Sequence, residues 1–337
     1  INNKGEIMNN LKKVGLTALA GSLVAFSAQA VEMTVSGSAK LTYINGHGTE
    51  VDGNPMGMNT SLVFSGSGEV NGYDTNLTIV ADQVGGMSSA ALSVDLADMG
   101  KITFDQGTGA GGISTIDDKT PTAAEEVWDG IDAVTGASDG LVGGGNSGVI
   151  VYANSFAGYN LTTQVSKGSR TANSDDANSG STGGGSWDFA LTTDSLMDGL
   201  SVGAGYGKIA NGAQSDVNGD DTNEHMVAFV NYTIGMVTLG YSEAVIDRGA
   251  AGGVNENASA FGIAANLSDN LSISYGEREV EYAKASATHV TQDNSGIALA
   301  YTMGSAKVTV QQNEADNNGG TTGTNDEQTQ IALSLSF

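Results

Sequence analysis

Runs in which every second residue is apolar recur along most of this chain, and no other feature limits its fold as much. Ile331, Leu333, Leu335 and Phe337 alternate with Gln330, Ala332, Ser334 and Ser336, and Met33, Val35, Ala39 and Leu41 alternate with Thr34, Ser36, Ser38 and Lys40. A side-chain period of two belongs to a β-strand with one apolar and one polar face. Between these two runs the same pattern predicts strands at 59–70, 73–83, 89–96, 100–106, 148–154, 157–167, 185–193, 199–208, 223–234, 236–245, 258–267, 270–278, 294–303 and 305–312, sixteen in all.

The connections between these strands take turns in length. Short links fall at Asn71-Gly72, Ala97 to Met99, Ser155-Phe156, Ser195 to Asp198, Gly235, Ser268-Asp269 and Gly304. Long links fall at 45–58, 84–88, 107–147, 168–184, 209–222, 246–257, 279–293 and 313–325. Short turns on one rim and long loops on the other are the habit of a membrane barrel, whereas a soluble Greek-key sandwich has no reason to sort its loops.

The two faces of the strands agree with that reading. Leu271, Ile273, Tyr275, Ile297, Leu299 and Tyr301 look one way, and Ser272, Ser274, Ala298 and Ala300 look the other. Small and polar residues do not make the dry core of two packed sheets. The apolar face is therefore expected to meet lipid and the polar face water. In hydrocarbon every backbone N–H and C=O must be paired within the protein, which for β-structure requires a closed barrel. The predicted fold class is all-β, a transmembrane antiparallel up-and-down β-barrel. Tyr43, Tyr73, Tyr159, Trp187, Tyr206, Tyr241, Tyr275, Tyr301 and Phe337 sit near strand ends, where aromatic girdles belong.

Composition removes several other classes. Forty-nine Gly with two Pro suit strands and turns, and the absence of Cys leaves an exported chain without disulfide staples. A net charge of −25 repels nucleic acid. Residues 1–30 read as upstream residues and a secretory signal: Met8 opens it, Lys12 and Lys13 are its basic end, 14–26 its apolar stretch, and Ala28-Gln29-Ala30 a cleavage site. The apolar stretch is shorter than the roughly 20 residues of a spanning helix. The expected mature domain is 31–337.

In these respects the chain resembles the general porins of Gram-negative bacteria, most of all the sixteen-stranded trimeric porins of alphaproteobacteria. The resemblance rests on the opening run 31–41, the alternation of turns and loops, the long third loop and Phe337. It implies an outer-membrane location, a homotrimer, and a diffusion channel for small hydrophilic solutes and ions. It implies that Ile331, Leu333, Leu335 and Phe337 form the signal read by the barrel-assembly machinery. It also implies that the third loop, 107–147, folds into the lumen as a constriction. That loop carries Asp117, Asp118, Glu125, Glu126, Asp129, Asp132 and Asp139 against Lys119, so a preference for cations is expected. Opposing wall cations are few: strand parity points Lys40, Lys101, Arg278 and Lys307 inward, with Lys40 and Lys307 brought close by pairing of the first and last strands, and 59–96 has neither Lys nor Arg.

Other chemistry is sparse. His47, His225 and His289 show no metal-ligand spacing and no nucleophilic triad motif, so no enzyme is expected. Asp216, Asn218 and Asp220 are spaced like the start of a Ca²⁺ loop, but Asp221 stands where such loops have Gly and Val227 where they have Glu; the stretch is either a weak Ca²⁺ site or a plain hydrophilic loop. Two other functions remain open. One is an acidic surface β protein, such as an adhesin or surface-layer component, although no fixed repeat is found. The other is a substrate-specific channel, although the inward faces show neither an aromatic track nor a dense basic patch.

Overall fold

The computed structural model describes residues 32–46, 54–82, 87–109, 111–131, 147–166, 185–210, 222–249, 254–283 and 290–337. The signal segment and the boundary before Val31 lie outside these residues. The alternating runs form sixteen strands: β1 (Glu32–Gly46), β2 (Met56–Val70), β3 (Tyr73–Asp82), β4 (Met87–Asp95), β5 (Lys101–Gln106), β6 (Ser147–Phe156), β7 (Tyr159–Ser166), β8 (Ser186–Thr193), β9 (Leu200–Ala210), β10 (Thr222–Ile234), β11 (Val237–Arg248), β12 (Asn255–Asn266), β13 (Leu271–Ala283), β14 (Val290–Met303), β15 (Ala306–Asp316) and β16 (Asp326–Ser336). Each pairs antiparallel with its neighbours in sequence, and β1 pairs with β16, so the sheet closes on itself.

Closure leaves the barrel no unpaired edge along the seam from Ser38 to Gly46. The seam is finished by a reciprocal pair of hydrogen bonds, Gly37 N–H to Phe337 O at 2.7 Å and Phe337 N–H to Gly37 O at 2.9 Å. Gly37 faces outward, and a side chain there would run into the Phe337 ring. The missing side chain therefore makes room for the aromatic ring.

On the outer face the large apolar residues stay exposed, among them Leu62, Phe64, Leu92, Phe104, Ile150, Phe261, Ile297, Leu299, Val310 and Ile331. Fully burying such a side chain is worth about 1.5–3 kcal/mol, so a continuous band of them marks a surface made for hydrocarbon. The register puts every aromatic expected in the girdles on this face: Tyr73, Tyr159, Tyr301 and Phe337 near the short turns, Tyr43, Trp187 and Tyr206 towards the long links, and Tyr241 and Tyr275 at the last apolar position before the outward Glu243 and Glu277. Tyr206, Tyr241 and Tyr275 donate their hydroxyls to Glu224, Glu243 and Glu277, which lie above them on the same face.

Several strands run further than the alternation suggests. β13 continues to Ala283 and β15 to Asp316, through Glu279, Glu281 and Glu314. These outward carboxylates interrupt the apolar alternation, because the hairpins there have left the apolar band while their backbone ladders continue.

Candidate functional site

What distinguishes the interior is segment 111–131, which follows β5 and precedes β6 in the chain. It opens with a one-turn 3-10 helix at Gly112–Thr115. Polar side chains of the inner face hold it along its length. Thr162 of β7 accepts from Gly112 N–H at 3.1 Å, and Asp188 of β8 accepts from Ile113 N–H at 2.9 Å. Asn231 of β10 donates to Lys119 O at 2.6 Å, and Ser274 of β13 accepts from Ala123 N–H at 2.8 Å. Gln311 of β15 accepts from Glu125 N–H at 3.0 Å and donates to Glu126 O at 2.8 Å. Asn313 donates to Glu126 O and Asp129 O, and Gln328 of β16 donates to Gly130 O. Finally Lys40 of β1 reaches Glu125, Nζ to Oε1 at 3.1 Å. Each such bond is worth about 0.5–1.5 kcal/mol net, so together they fix the path of the segment across the wall from β7 to β1.

A row of glycines makes the room. The register aligns Gly240 of β11, Gly262 of β12, Gly276 of β13 and Gly296 of β14 on one level of the inner face. A Cβ on Gly262 would stand 2.7 Å from Pro121 O, one on Gly276 2.7 Å from Val127 Cγ1, and one on Gly240 would overlap the Pro121 ring. The first three glycines thus form a trough in which 121–127 lies. Nearer its start the segment is anchored by oil: Ile113 and Ile116 are fully buried with Ile209, Val227, Phe229 and Ile246 from β9 to β11.

The sequence-derived site residues are distributed unevenly over this arrangement. Lys40, Lys101, Arg278 and Lys307 all share the inner face, and Lys40 and Lys307 flank Ser334 on adjacent strands. Arg278, expected on the pore wall, is only 2% exposed: the Trp128 ring covers its guanidinium, 4.8 Å from the ring centroid. A cation held under an aromatic face anchors the segment, with about 2 kcal/mol to gain once desolvated, and no longer presents a free charge to water. Asp117 is buried as well, while Asp118 pairs with Lys119 at 3.5 Å. Glu125, Glu126 and Asp129 follow within one turn of chain. Burial, joined by the charges of Asp118, Glu125 and Asp129, pushes the Glu126 carboxyl up to about 7. Asp129 is raised too, by burial and by Glu125, with Lys40 opposing. Asp132 and Asp139 lie outside the described residues, as do Asp216, Asn218 and Asp220 of the candidate Ca²⁺ loop. Ile331, Leu333, Leu335 and Phe337 all face outward and are exposed.

Two features have no counterpart in the alternation. One is the glycine row, whose members are scattered through four strands. The other is a second segment on the inner wall, at Asn318–Gly320, where Gly319 N–H donates to Gln292 at 3.0 Å and Gly320 packs against the Tyr282 ring. Tyr282 and Gln292 fall in the stretch 279–293 that the alternation reads as a link, so neither their inner-face position nor their partner is displayed there.

Against this, the inner face of β1–β4 is bare. Among the described residues β1–β4 contribute no buried side chain, and Ser38, Asn59, Ser67, Glu69, Asp74, Asn76, Asp82 and Asp95 of the inner face are exposed. A recess on this wall is bordered by Lys40 and Asp82, and Lys40 also pairs with Glu125 of the segment.

No protein-family model matches the chain, and neither does any curated protein. Solved structures do. The in-vitro folded outer-membrane protein OmpT of Vibrio cholerae superposes with a TM-score of 0.65 at 14% identity, covering 90% of this chain and 97% of that one. The anion-selective porin from Comamonas acidovorans gives 0.64 at 13% identity, covering 91% and 100%. OmpF of Salmonella typhi, in complex with daunomycin, gives 0.61 at 14% identity, covering 91% and 98%. At such identities the likeness is one of fold: this chain has the closed sixteen-stranded barrel of outer-membrane proteins.

Proposed function

We propose that this chain is a porin of a Gram-negative outer membrane, a passive diffusion channel for small hydrophilic solutes and ions that prefers cations. The observation that carries the proposal is the combination of an apolar outer band with a polar inner wall left uncovered at β1–β4. Such a tube offers water a path from one rim to the other.

Segment 111–131 serves in this reading as the constriction, since it narrows the interior from the side of β7–β16. Its five carboxylates, Asp117, Asp118, Glu125, Glu126 and Asp129, outnumber Lys119, and the wall opposes them with Lys40 and Lys307. Within low-dielectric walls such an excess of negative charge concentrates cations and excludes anions. With Arg278 withdrawn beneath Trp128, the transverse field that wall cations would set up is weak. The barrel works as a homotrimer, as the trimer form of the Vibrio cholerae protein illustrates for that relative. Outer-membrane lipid meets the apolar band, and the barrel-assembly machinery reads Ile331 to Phe337.

The test is single-channel recording of the purified protein in a planar bilayer under a salt gradient. Discrete conductance steps with a reversal potential on the cation side are expected. Absence of conductance would defeat the porin reading, and an anion-side potential would defeat the selectivity. Gel mobility that changes on heating is expected for the folded trimer.

A further inference from the structure

The bare part of the wall carries a recess that the general channel does not require. It measures about 370 Å³ and is lined by Ser38, Lys40, Asn59, Ser61, Asp82, Ser334 and Ser336 on the inner face. The register arranges these as two rows across the β16–β1 seam and into β3: Ser336, Ser38, Ser61, Asp82, and beside it Ser334, Lys40, Asn59. The anion thus ends the first row and the cation stands midway along the second, over a floor of hydroxyls and one amide.

We infer that this recess is a transit site for small zwitterions, amino acids and molecules of like size, whose carboxylate meets Lys40 and whose ammonium meets Asp82. The inference rests on the porin reading and names a solute class for the same passage. Three points of chemistry support it. First, the groups have capacity to spare. Lys40 gives one of its three donors to Glu125, and Asp82 takes hydroxyl donors from Ser88 and Ser61 out of roughly four acceptor positions. Second, the spacing suits. Lys40 and Asp82 are two strands and two residues apart, about 12 Å between Cα atoms at ordinary strand dimensions. Swung from Glu125, the Lys40 side chain can span part of that gap, and an amino-acid length with a hydrogen bond at each end fills the rest. Third, a solute with one charge finds a mixed reception. An anion drawn to Lys40 also meets Asp82 and Glu125, and a cation drawn to Asp82 also meets Lys40, with Lys307 beyond Ser334. A zwitterion satisfies both poles at once. Both ends remain open to water, so binding is weak, as passage demands.

Swelling of liposomes containing the full-length protein tests this, with alanine as the zwitterion and lactamide as its uncharged near-isostere. Wild type is expected to admit alanine about threefold faster than lactamide at low solute concentration, where a weak site is unsaturated. Asp82→Asn and Lys40→Met should each bring that ratio to about one, because a zwitterion needs both poles. Glu125→Gln releases Lys40 from its carboxylate partner without removing the lysine charge, and should leave the ratio intact or raise it. Equal rates in wild type would overturn the inference while leaving the porin reading standing; failure of lactamide itself to enter would overturn that reading first. A ratio lost in only one of Asp82→Asn and Lys40→Met, or lost equally in Glu125→Gln, would assign the effect to simple charge or to the position of segment 111–131 and defeat the proposal. Heat-dependent gel mobility of each variant checks that the barrel has formed.

Discussion

The inner faces of β1–β4 and of β11–β16 are built from similar residues and live in different environments. Both are rich in small and uncharged polar residues, chiefly Ser and Thr with Asn on β1–β4, and Ser, Asn, Gln, Gly and Ala on β11–β16. Yet Ser274, Gln292, Asn294, Gln311, Asn313 and Gln328 are buried, whereas Asn59, Ser67, Asn76 and Asp95 stay in water. The difference arises from segment 111–131, joined over Gln292 by Asn318–Gly320, which cover one wall and leave the other open. A polar residue on a barrel's inner face is thus a tether or a pore lining according to what crosses above it. Composition does not decide between these roles.

Filling the glycine trough attacks the covered wall most directly. Gly262→Val places new atoms against Pro121 O, where backbone cannot yield, so the segment must lift towards β1–β4. Single-channel conductance is expected to fall by about half or more, with a stability loss of about 1–3 kcal/mol for overpacking. An unchanged conductance would show that the segment does not depend on the trough. Next in size is removal of the tethers. Gln311→Ala combined with Asn313→Ala strands the Glu126 and Asp129 carbonyls, at about 1–3 kcal/mol for each group left unpaired. Open-channel noise should rise and the thermal midpoint should drop.

A smaller effect comes from protons. The Glu126 carboxyl, pushed up to about 7 by burial and by its acidic neighbours, carries its charge above that pH and loses it below. Cation preference is therefore expected to weaken as pH falls through about 7, and Glu126→Gln should hold it near its low-pH value throughout. A reversal potential independent of pH in this window would argue against a Glu126 charge at the constriction. Smallest of all should be changes on the open side. Glu125→Gln breaks a half-exposed pair with Lys40, and Ser65→Ala touches a hydrated wall. Each should shift unfolding stability by under about 1 kcal/mol, measured by denaturation in detergent.

How much of this was legible follows from the range of each interaction. The strands, their number, the outward Leu333 and Leu335, and the girdle positions of Tyr206 and Tyr275 come from a local period of two, so the sequence displays them directly. The trough does not, because Gly240, Gly262, Gly276 and Gly296 become neighbours only through the pairing register of three successive hairpins. A mid-strand glycine on the inner face of each of β11–β14 was the available signal. Arg278 was placed on the correct face by parity, but its burial depends on Trp128, which reaches it from another part of the chain. Likewise the alternation does not display the ends of β13 and β15, because outward Glu279, Glu281 and Glu314 look like loop residues once the apolar positions stop.

The sorting of links onto two rims has a further implication for how this molecule arrives at its final orientation. Short turns such as 71–72, 157–158 and 304–305 end one rim, and the hydrophilic hairpins end the other. Drawing a stretch as polar as 107–146 or 317–325 back through hydrocarbon would mean desolvating many peptide groups at several kcal/mol each. A barrel once inserted consequently keeps its orientation for as long as it stays folded, without any lock to hold it there.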